Sequence, residues 1–264
     1  MSVNIKTAQG LTSINSVLVR NKGNLVEKTI TANGTYNAAS DNADGYSGVT
    51  VNVPAPKTKW LVSHGTEFIR IPKEDLAFTD KPAVTMKLKV LEPEVGFTGS
   101  CQLFGGWSDM GAFIVEYDQS NSNKPFIAKY TNTYTQMYSI SLNNTVYVSM
   151  GYNKYVRGVV FNSSEEPIQQ MIEGNYIGGA NTAVAEHDLL IYSAMSYTDE
   201  TQWNISKAKI AYVHLYDDDT MIFSGTPAID PTTGKACLYD SVNDKYYGNA
   251  NTESQTDFEI VEED

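Results

Sequence analysis

Aromatic side chains stand beside carboxylate or amide side chains at several positions between the predicted strands of this chain. These positions are Trp107, Asp109, Tyr152, Asn153, Tyr155 and Trp203. An aromatic ring offers a flat apolar face, and a neighbouring carboxylate or amide supplies hydrogen bonds, so the combination suits contact with a sugar ring. Trp107, which follows Phe104-Gly105-Gly106, is the strongest candidate, although a tryptophan in a β-sandwich is usually part of the core.

Three consecutive carboxylates form a second candidate site, in a predicted turn. Asp217, Asp218 and Asp219 supply the oxygen ligands that Ca²⁺ prefers. The run has no EF-hand spacing, and three aspartates in one turn bind a metal weakly without further ligands. The alternatives are therefore a calcium site and a solvated acidic turn, and no other cofactor is predicted.

The residues needed for catalysis do not occur in a recognisable pattern. The histidines are His64, His187 and His214, and none stands in a Gly-x-Ser-x-Gly setting or beside a reactive cysteine signature. Cleavage of a glycosidic bond needs two carboxylates that flank the bond. The acidic clusters, at 165–166, 199–200, 217–219 and 259–264, fall in predicted turns or at the chain end. The sequence therefore predicts no catalytic residue and favours a protein that is not an enzyme.

The charge balance excludes two classes of partner. The formal net charge is -12 and the isoelectric point is near 4.7, so phosphate backbones and anionic membrane surfaces are repelled. Residues 1–57 carry a balance of +2, and the remainder carries -14. We expect no nucleic-acid partner, no membrane partner, and a near-neutral N-terminal part before an acidic body.

The number of cysteines and the distribution of apolar residues limit the disulfides, signal peptides and membrane-spanning segments that can be predicted. Cys101 and Cys237 are too far apart in sequence for a disulfide framework, and both are predicted to be buried free thiols, with a single bridge as the alternative. No N-terminal signal peptide and no stretch of about 20 apolar residues is visible.

Short alternating segments predict an all-β fold. Abundant Tyr, Thr, Val, Asn and Gly favour strands and turns. The predicted strands after the linker are Trp60–Ser63, Glu67–Ile71, Val84–Leu91, Cys101–Phe104, Ala112–Tyr117, Phe126–Tyr130, Gln136–Ile140, Val146–Met150, Arg157–Phe161, Leu189–Ala194, Ala208–Tyr216, Met221–Phe223, Ala236–Tyr239 and Lys245–Tyr247. One helical turn is predicted at Thr198–Trp203. Many short strands without alternating helices indicate an antiparallel β-sandwich or jelly roll.

The chain is predicted to have four parts. They are an N-terminal arm at 1–27, a small β-module at 28–53, a proline-containing linker at 54–59 and a sandwich at 60–264. Asn33-Gly34 predicts a hairpin between Lys28–Ala32 and the strand that begins at Thr35.

Two segments resemble known families. Residues 29–54, TITANGTYNAASDNADGYSGVTVNVP, resemble a short β-module of structural proteins in bacteriophages and prophages of gut bacteria. Residues 207–247, with Tyr216-Asp217, Pro227 and the run from Gly234 to Asp240, are similar to the closing strands of concanavalin-like or laminin-G-like lectin sandwiches in the same kind of protein. In this second segment alternation predicts Ile210, Tyr212, His214 and Tyr216 on one face.

The resemblance implies a fibre or adhesion protein at the surface of a bacteriophage particle, on its head or its tail, made in the bacterial host cytoplasm. Residues 1–53 would dock to other virion structural proteins, and the lectin-like domain would attach to host-surface carbohydrate. Fibres are symmetric oligomers, so a homotrimer or homodimer is expected. The alternatives are a phage-borne glycan-cleaving enzyme on the same fold, although the Glu-x-Asp-x-x-Glu strand of such enzymes is lacking, and a purely architectural decoration protein.

Overall fold

The computed structural model divides the chain into two compact units, with the division between Lys57 and Thr58. The structure describes residues 16–21, 24–29, 34–36, 49–51, 57–79, 81–91, 100–108, 111–118, 125–131, 134–139, 143–152, 156–162, 172–173 and 182–263. Each unit is described by itself.

The N-terminal unit contains two separate antiparallel pairs. Strand β1 (Ser16–Asn21) pairs with β2 (Asn24–Thr29), and β3 (Gly34–Tyr36) pairs with β4 (Val49–Val51). The predicted hairpin at Asn33-Gly34 is wrong, because β2 pairs with β1 rather than with β3. The six-residue β1 offers β2 a longer ladder than the three-residue β3 could, and cross-strand pairs outweigh a local turn preference. The boundary predicted between residues 27 and 28 falls inside β2.

The second unit is built almost entirely from strands. Its strands, within the described residues, are β5 (Thr58–His64), β6 (Ile69–Ile71), β7 (Pro82–Val90), β8 (Ser100–Ser108), β9 (Gly111–Asp118), β10 (Pro125–Thr131), β11 (Tyr134–Ser139), β12 (Val146–Tyr152), β13 (Val156–Asn162), β14 (Ile172–Glu173), β15 (Leu189–Ile191), β16 (Met195–Ser196), β17 (Lys207–Asp217), β18 (Thr220–Ile229), β19 (Ala236–Asp240), β20 (Lys245–Tyr247) and β21 (Glu259–Glu263). A one-turn helix α1 (Lys73–Leu76) and a 3-10 helix (Thr182–Glu186) are the helical elements of this described part. Each strand predicted after the linker overlaps an observed strand.

The strands form two sheets. The ten-stranded sheet runs in the order β14-β13-β12-β7-β17-β18-β19-β20, with β5 also paired to β17 and β21 paired to β5. The seven-stranded sheet runs β11-β10-β9-β8-β15-β6, with β16 beside β8. Nearly all pairings are antiparallel; β13–β14 and β8–β16 are parallel. The predicted all-β, antiparallel sandwich is confirmed.

One apolar core lies between the sheets. The ten-stranded sheet contributes alternate residues such as Met86 and Leu88 of β7, and the seven-stranded sheet contributes Phe104 and Phe113. Tyr192 connects the two sheets, because its backbone N–H donates to the carbonyl of Leu103 in β8 and its hydroxyl donates to the carbonyl of Leu61 in β5. Since side chains alternate along a strand, the residues between the core positions of β7 face outward.

The predicted helical turn at Thr198–Trp203 is wrong. Residues 197–199 form a turn, and Gln202 forms a bridge to Met195. The carboxylate of Asp199 accepts hydrogen bonds from the N–H and the hydroxyl of Thr201, and this local arrangement competes with helix formation.

Cys101 and Cys237 are buried thiols that are not joined in a disulfide, as predicted. Burial raises the pKa of both thiols to about 11. The helices among the described residues are too short and polar to cross a membrane.

Candidate functional site

The structure brings together the two predicted tryptophans. The rings of Trp107 in β8 and Trp203 before β17 lie 5.9 Å apart at an angle of 46°. Both are half-buried and pack against Ile114 and Ala194. Ile114 alternates with core residues of β9, so this small cluster lies on the outer face of the seven-stranded sheet. Much of each ring is used in packing.

The other predicted sugar-binding residues do not join this cluster. Tyr152 ends β12, which belongs to the ten-stranded sheet rather than to the sheet of Trp107. Asp109, Asn153 and Tyr155 lie outside the described residues. A contact of these residues with sugar stays a prediction.

The carboxylates of the acidic turn are held by different partners. Asp217 accepts hydrogen bonds from the N–H and the hydroxyl of Thr79, at 3.0 and 2.8 Å. Asp218 is 3.5 Å from the ammonium group of Lys81. In the part of the chain that the structure describes, no three His, Cys, Asp or Glu side chains are grouped to hold a metal ion. Calcium at Asp217, Asp218 and Asp219 stays a prediction.

A different site forms where β17 changes neighbours. One side of β17 pairs with β7 along its length, and the other side pairs first with β5, along Lys207–Ile210, and then with β18, along Val213–Asp217. A β-bulge between Ile210 and Tyr212 lies at the changeover. Bulges bend a strand and often adjoin functional sites.

A pocket of about 550 Å³ opens at this bulge. It is called the bulge pocket here, and its lining residues are Thr58, Lys59, Lys87, Ala211, Tyr212, His214, Thr226 and Pro227. These residues come from β5, β7, β17 and β18, so the pocket exists only once strands distant in sequence have assembled.

The bulge pocket lies within a row of tyrosines that crosses the outer face of the ten-stranded sheet. Lys87 lies opposite Tyr147 and Tyr212, and Tyr239 lies opposite Thr226 and Tyr246. The four tyrosines, from β12, β17, β19 and β20, are called the tyrosine row. Their strand neighbours, such as Val148 and Leu238, point into the core, so the row points outward. Six strands about 4.8 Å apart give the row a length of roughly 24 Å.

Hydrogen-bonding side chains run beside the tyrosine row. His214 lies opposite Thr85 of β7 and Ser224 of β18. These three residues occupy the outward positions next to the tyrosine row on their strands. The imidazole of His214 stacks on the ring of Tyr212, with centroids 4.6 Å apart. Burial lowers the pKa of His214, so its ring is neutral at pH 7 and can both donate and accept a hydrogen bond.

Lys87 is held in place by aromatic rings. Its ammonium nitrogen is 5.5 Å from the ring centroids of both Trp60 and Tyr147, and it donates to the hydroxyl of Thr58 at 3.2 Å. The ammonium of Lys89 lies 4.7 Å from the centroid of Trp60. These cation–π contacts cover Trp60, which is 2% exposed, and fix a positive charge at the bulge pocket.

Glu263 forms ion pairs with two neighbouring lysines. Its carboxylate accepts hydrogen bonds from Lys89, at 2.6 Å, and from Lys209. The bonds from Lys209 and Lys89 lower the pKa of Glu263, so the carboxylate remains charged at pH 7. Among the described residues that line the bulge pocket there is no carboxylate.

The sequence pattern missed this site because of the bulge. Alternation predicted Ile210 on the face of Tyr212 and His214, whereas Ile210 is fully buried in the core with Val213 and Leu215. The extra residue, Ala211, shifts the alternation by one position. The alternation of Lys87 and Lys89 with Met86, Leu88 and Val90 was the signal that marked this face as outward.

Comparison with known proteins gives a fold likeness. No family model matches the chain, and no curated protein matches it. Among solved structures, a candidate carbohydrate-binding protein from Bacteroides ovatus ATCC 8483 has a TM-score of 0.52 and 11% identity, over 96% of this chain and 70% of that one. At this identity the likeness shows the β-sandwich fold alone.

Two other solved structures are more distant. The sialidase of Trypanosoma rangeli in complex with sialic acid has a TM-score of 0.38 and 12% identity, over 64% of this chain and 26% of its own. The binding domain of botulinum neurotoxin DC in complex with rat synaptotagmin II has a TM-score of 0.35 and 10% identity, over 79% of this chain and 48% of that one. TM-scores this low carry no argument.

Proposed function

We propose that this protein binds glycans, without cleaving them, on the outer face of its ten-stranded sheet. The observation that carries the proposal is the tyrosine row beside hydrogen-bonding side chains, with the bulge pocket between them. Tyrosine supplies flat apolar area with a polar tip, which suits the apolar face of a sugar ring. His214, Thr85 and Ser224 supply partners for sugar hydroxyls. The likeness to a candidate carbohydrate-binding protein supports this proposal.

The shape of the surface favours an extended glycan. The tyrosine row crosses six strands in a line, so several sugar rings can lie along it in succession, while one sugar enters the bulge pocket. Preformed pockets with a few placed polar groups are typical of small-ligand sites.

The lining of the bulge pocket favours binding over hydrolysis. Glycosidases place two carboxylates on either side of the scissile bond. The lining residues within the described ranges offer ammonium, hydroxyl and imidazole groups instead. The nearby carboxylate of Glu263 is engaged by two lysines.

The decisive experiment is a glycan array with purified wild-type protein and three variants. We expect Tyr212→Ala to abolish binding and Tyr246→Ala, at an exposed edge position, to weaken it. Trp203→Ala tests the tryptophan cluster on the opposite sheet and should bind as wild type does. A thermal melt of each variant checks folding. Binding that survives Tyr212→Ala but not Trp203→Ala would move the site to Trp107 and Trp203, and an array without any bound glycan would refute the proposal.

The setting of this binding is proposed from the sequence resemblance. Residues 29–54 resemble phage structural modules, which supports a place on the virion surface for a homotrimer or homodimer, with residues 1–53 docked to other virion proteins and the sandwich facing host-surface carbohydrate. Mass spectrometry and antibody labelling of intact particles test the location. A stable monomer in light scattering at high concentration would contradict the oligomer.

A further inference from the structure

The buried end of the bulge pocket is apolar. Ala211 is 8% exposed and Pro227 is also buried, and both residues line the pocket. Neither side chain carries a polar atom, and proline has no backbone N–H. A sugar hydroxyl placed against these two side chains would lose hydrogen bonds to water and find no partner in them, whereas a methyl group would gain from leaving water. The buried end therefore favours an apolar substituent.

The gap between two ladders of β17 makes room for such a substituent. The ladder with β5 ends at Ile210, and the ladder with β18 begins at Val213. Ala211 and Tyr212 lie between the two ladders, and two residues of strand span about 7 Å. A small group that projects from a sugar ring can enter this gap while the neighbouring sugar rings lie along the tyrosine row.

Neutral hydrogen-bonding groups lie nearer the mouth of the pocket. Thr226 is exposed, and Thr58 and His214 are half-buried. The hydroxyl of Thr58 accepts a hydrogen bond from Lys87, so its own proton can be donated to another acceptor. The hydroxyl of Thr226 and the neutral imidazole of His214 can each donate and accept. These groups match an amide, which needs a donor for its oxygen and an acceptor for its N–H.

The two lysines of the lining already have partners. The ammonium group of Lys87 lies against the rings of Trp60 and Tyr147, and that of Lys59 is 4.0 Å from Glu262. The chain as a whole carries a net charge of -12, which repels anions. The pocket therefore does not require an acidic sugar, and a neutral substituent suits it better.

From these observations we propose that the bulge pocket recognises an N-acetylated sugar, whose acetamido methyl group lies against Ala211 and Pro227. The amide oxygen accepts a hydrogen bond from a threonine hydroxyl, and the amide N–H donates to a hydroxyl or to His214. This inference rests on the proposed glycan-binding function and narrows its ligand class. The acetamido group sets the specificity, and the tyrosine row supplies affinity for the rest of the glycan.

The test compares glycans that differ at one substituent. Oligosaccharides of chitin, cellulose and chitosan share one backbone and carry an acetamido, a hydroxyl and an amino group at the same carbon. A second set pairs oligosaccharides that end in N-acetylgalactosamine with those that end in galactose, and a matched pair is added for any other acetamido glycan that the array identifies. In at least one set, calorimetry should show about tenfold tighter binding of the acetamido member, because a methyl group is buried and an amide is bonded.

Two threonine variants separate the pocket from the rest of the sheet. Thr226→Val removes a hydroxyl and keeps the side-chain shape, so the preference for the acetamido member should fall about fivefold. Thr220→Val is the matched control, because Thr220 is exposed on the same strand and is not among the described residues that line the pocket. It should leave the preference unchanged.

Ala211→Val fills the buried end of the pocket. It should weaken binding of the acetamido member more than binding of the hydroxyl member. A thermal melt checks that this variant folds, and Thr226→Val, at an exposed position, tests the pocket independently if it does not.

The outcomes distinguish this inference from the proposed function. Equal binding of all members in every set, lost together in Tyr212→Ala, would overturn the N-acetylated ligand and leave glycan binding standing. A preference for the acetamido member that survives both Thr226→Val and Ala211→Val would do the same, as would an array on which every bound glycan lacks an acetamido group. An array without any bound glycan would overturn both.

Discussion

The imidazole ring of His214 lies parallel to the phenol ring of Tyr212, with the centroids 4.6 Å apart and an angle of 19° between the planes. The two residues are separated by one position on β17, so both project from the outer face of the ten-stranded sheet. The stack joins the tyrosine row to the hydrogen-bonding side chains beside it, and it restricts both rings before any ligand arrives. Restriction of a binding side chain in the free protein reduces the entropy that binding must overcome.

The burial of His214 gives the protein a pH-dependent stability. Burial lowers the pKa of His214 below the 6.5 of an exposed histidine. In the unfolded chain the imidazole takes up a proton near pH 6.5, while in the folded chain it does so only at lower pH. The unfolded state therefore binds more protons in this window, and the free energy of unfolding falls as the pH drops through it.

His214→Gln removes this titration. Thr85 and Ser224, which lie opposite His214, carry no charge, so the substitution leaves no partner ion exposed. Urea unfolding at pH 8 and pH 5 should show a smaller loss of stability for His214→Gln than for wild type. His64 and His187 remain in both proteins and cancel in the comparison. The same loss in both proteins would show that His214 titrates normally.

The ion pairs of Glu263 with Lys89 and Lys209 stabilise the closing strand β21. Glu263 is bonded to Lys209 and Lys89, which lower its pKa, so its contribution to stability is present above the unfolded pKa near 4.5 and is lost as the pH falls through the folded value. Glu263→Gln should lower the free energy of unfolding by about 1 kcal/mol at pH 7, and the difference from wild type should shrink as the pH falls below 4.5 and the carboxylate takes up a proton.

Glu262→Gln is the matched control for this prediction. Glu262 is adjacent on the same strand, but its side chain is 53% exposed and lies 4.0 Å from Lys59. Chemical denaturation should detect almost no change, because exposed ion pairs contribute little. Equal effects of the two substitutions would mean that net charge, rather than the bonds of Glu263, stabilises β21.

Most of the fold was predictable because its signals are local. Met86, Leu88 and Val90 alternate with Lys87 and Lys89, and this alternation identifies β7 and both of its faces without knowledge of any other strand. Strand β21 was missed for the opposite reason. Glu259–Glu263 has the pattern of a solvated acidic tail, and the ion pairs of Glu263 with Lys89 and Lys209, far away in sequence, cannot be read from it.

The candidate site was less predictable than the fold. Trp107 and Trp203 were both identified, but their proximity follows from the packing of a loop onto β8. The bulge pocket depends on Ala211, a residue with no chemistry of its own, and on the ends of β5 and β18. Neither a bulge nor the point where a strand changes neighbours leaves a pattern in the sequence around it.

Gly105 is required by the packing of the seven-stranded sheet. Its φ is +92°, and a Cβ atom there would overlap the carbonyl oxygen of Phe113 in the adjacent strand. Gly105→Ala should therefore lower the free energy of unfolding by about 3 kcal/mol or more, from backbone strain and the clash together.

Gly234→Ala measures the cost of backbone strain without a steric clash of the added methyl group. Gly234 also has a positive φ, of +70°, but nothing lies within 4 Å of the added Cβ. Gly234→Ala should lower the free energy of unfolding by about 1 kcal/mol, because only the left-handed backbone conformation disfavours alanine there. Thermal and urea unfolding of the two variants measure the difference, and equal costs would mean that β9 moves away to accommodate the methyl group that Gly105→Ala adds.

The tyrosine row predicts a dependence of affinity on glycan length. Tyr246 lies at the end of the row, with its ring centroid 4.8 Å from that of Tyr239, and it is 41% exposed. In the proposed binding mode a short glycan in the bulge pocket would contact Tyr212 without reaching this end, whereas a long one would reach it. Affinity should rise with the number of sugar units until the row is covered, and then level off.

Tyr246→Ala tests this dependence without disturbing the core. Calorimetry on a series of oligosaccharides of increasing length, taken from whichever glycan the array identifies, should show unchanged binding of the shortest members and weaker binding of the longest. Each stacked aromatic ring is worth about 1 kcal/mol, so the loss for the longest member should be about fivefold. Tyr246→Phe retains the flat face and should bind long glycans as wild type does. An equal loss at every length would mean that Tyr246 acts on the pocket through the sheet, and that the glycan does not extend along the row.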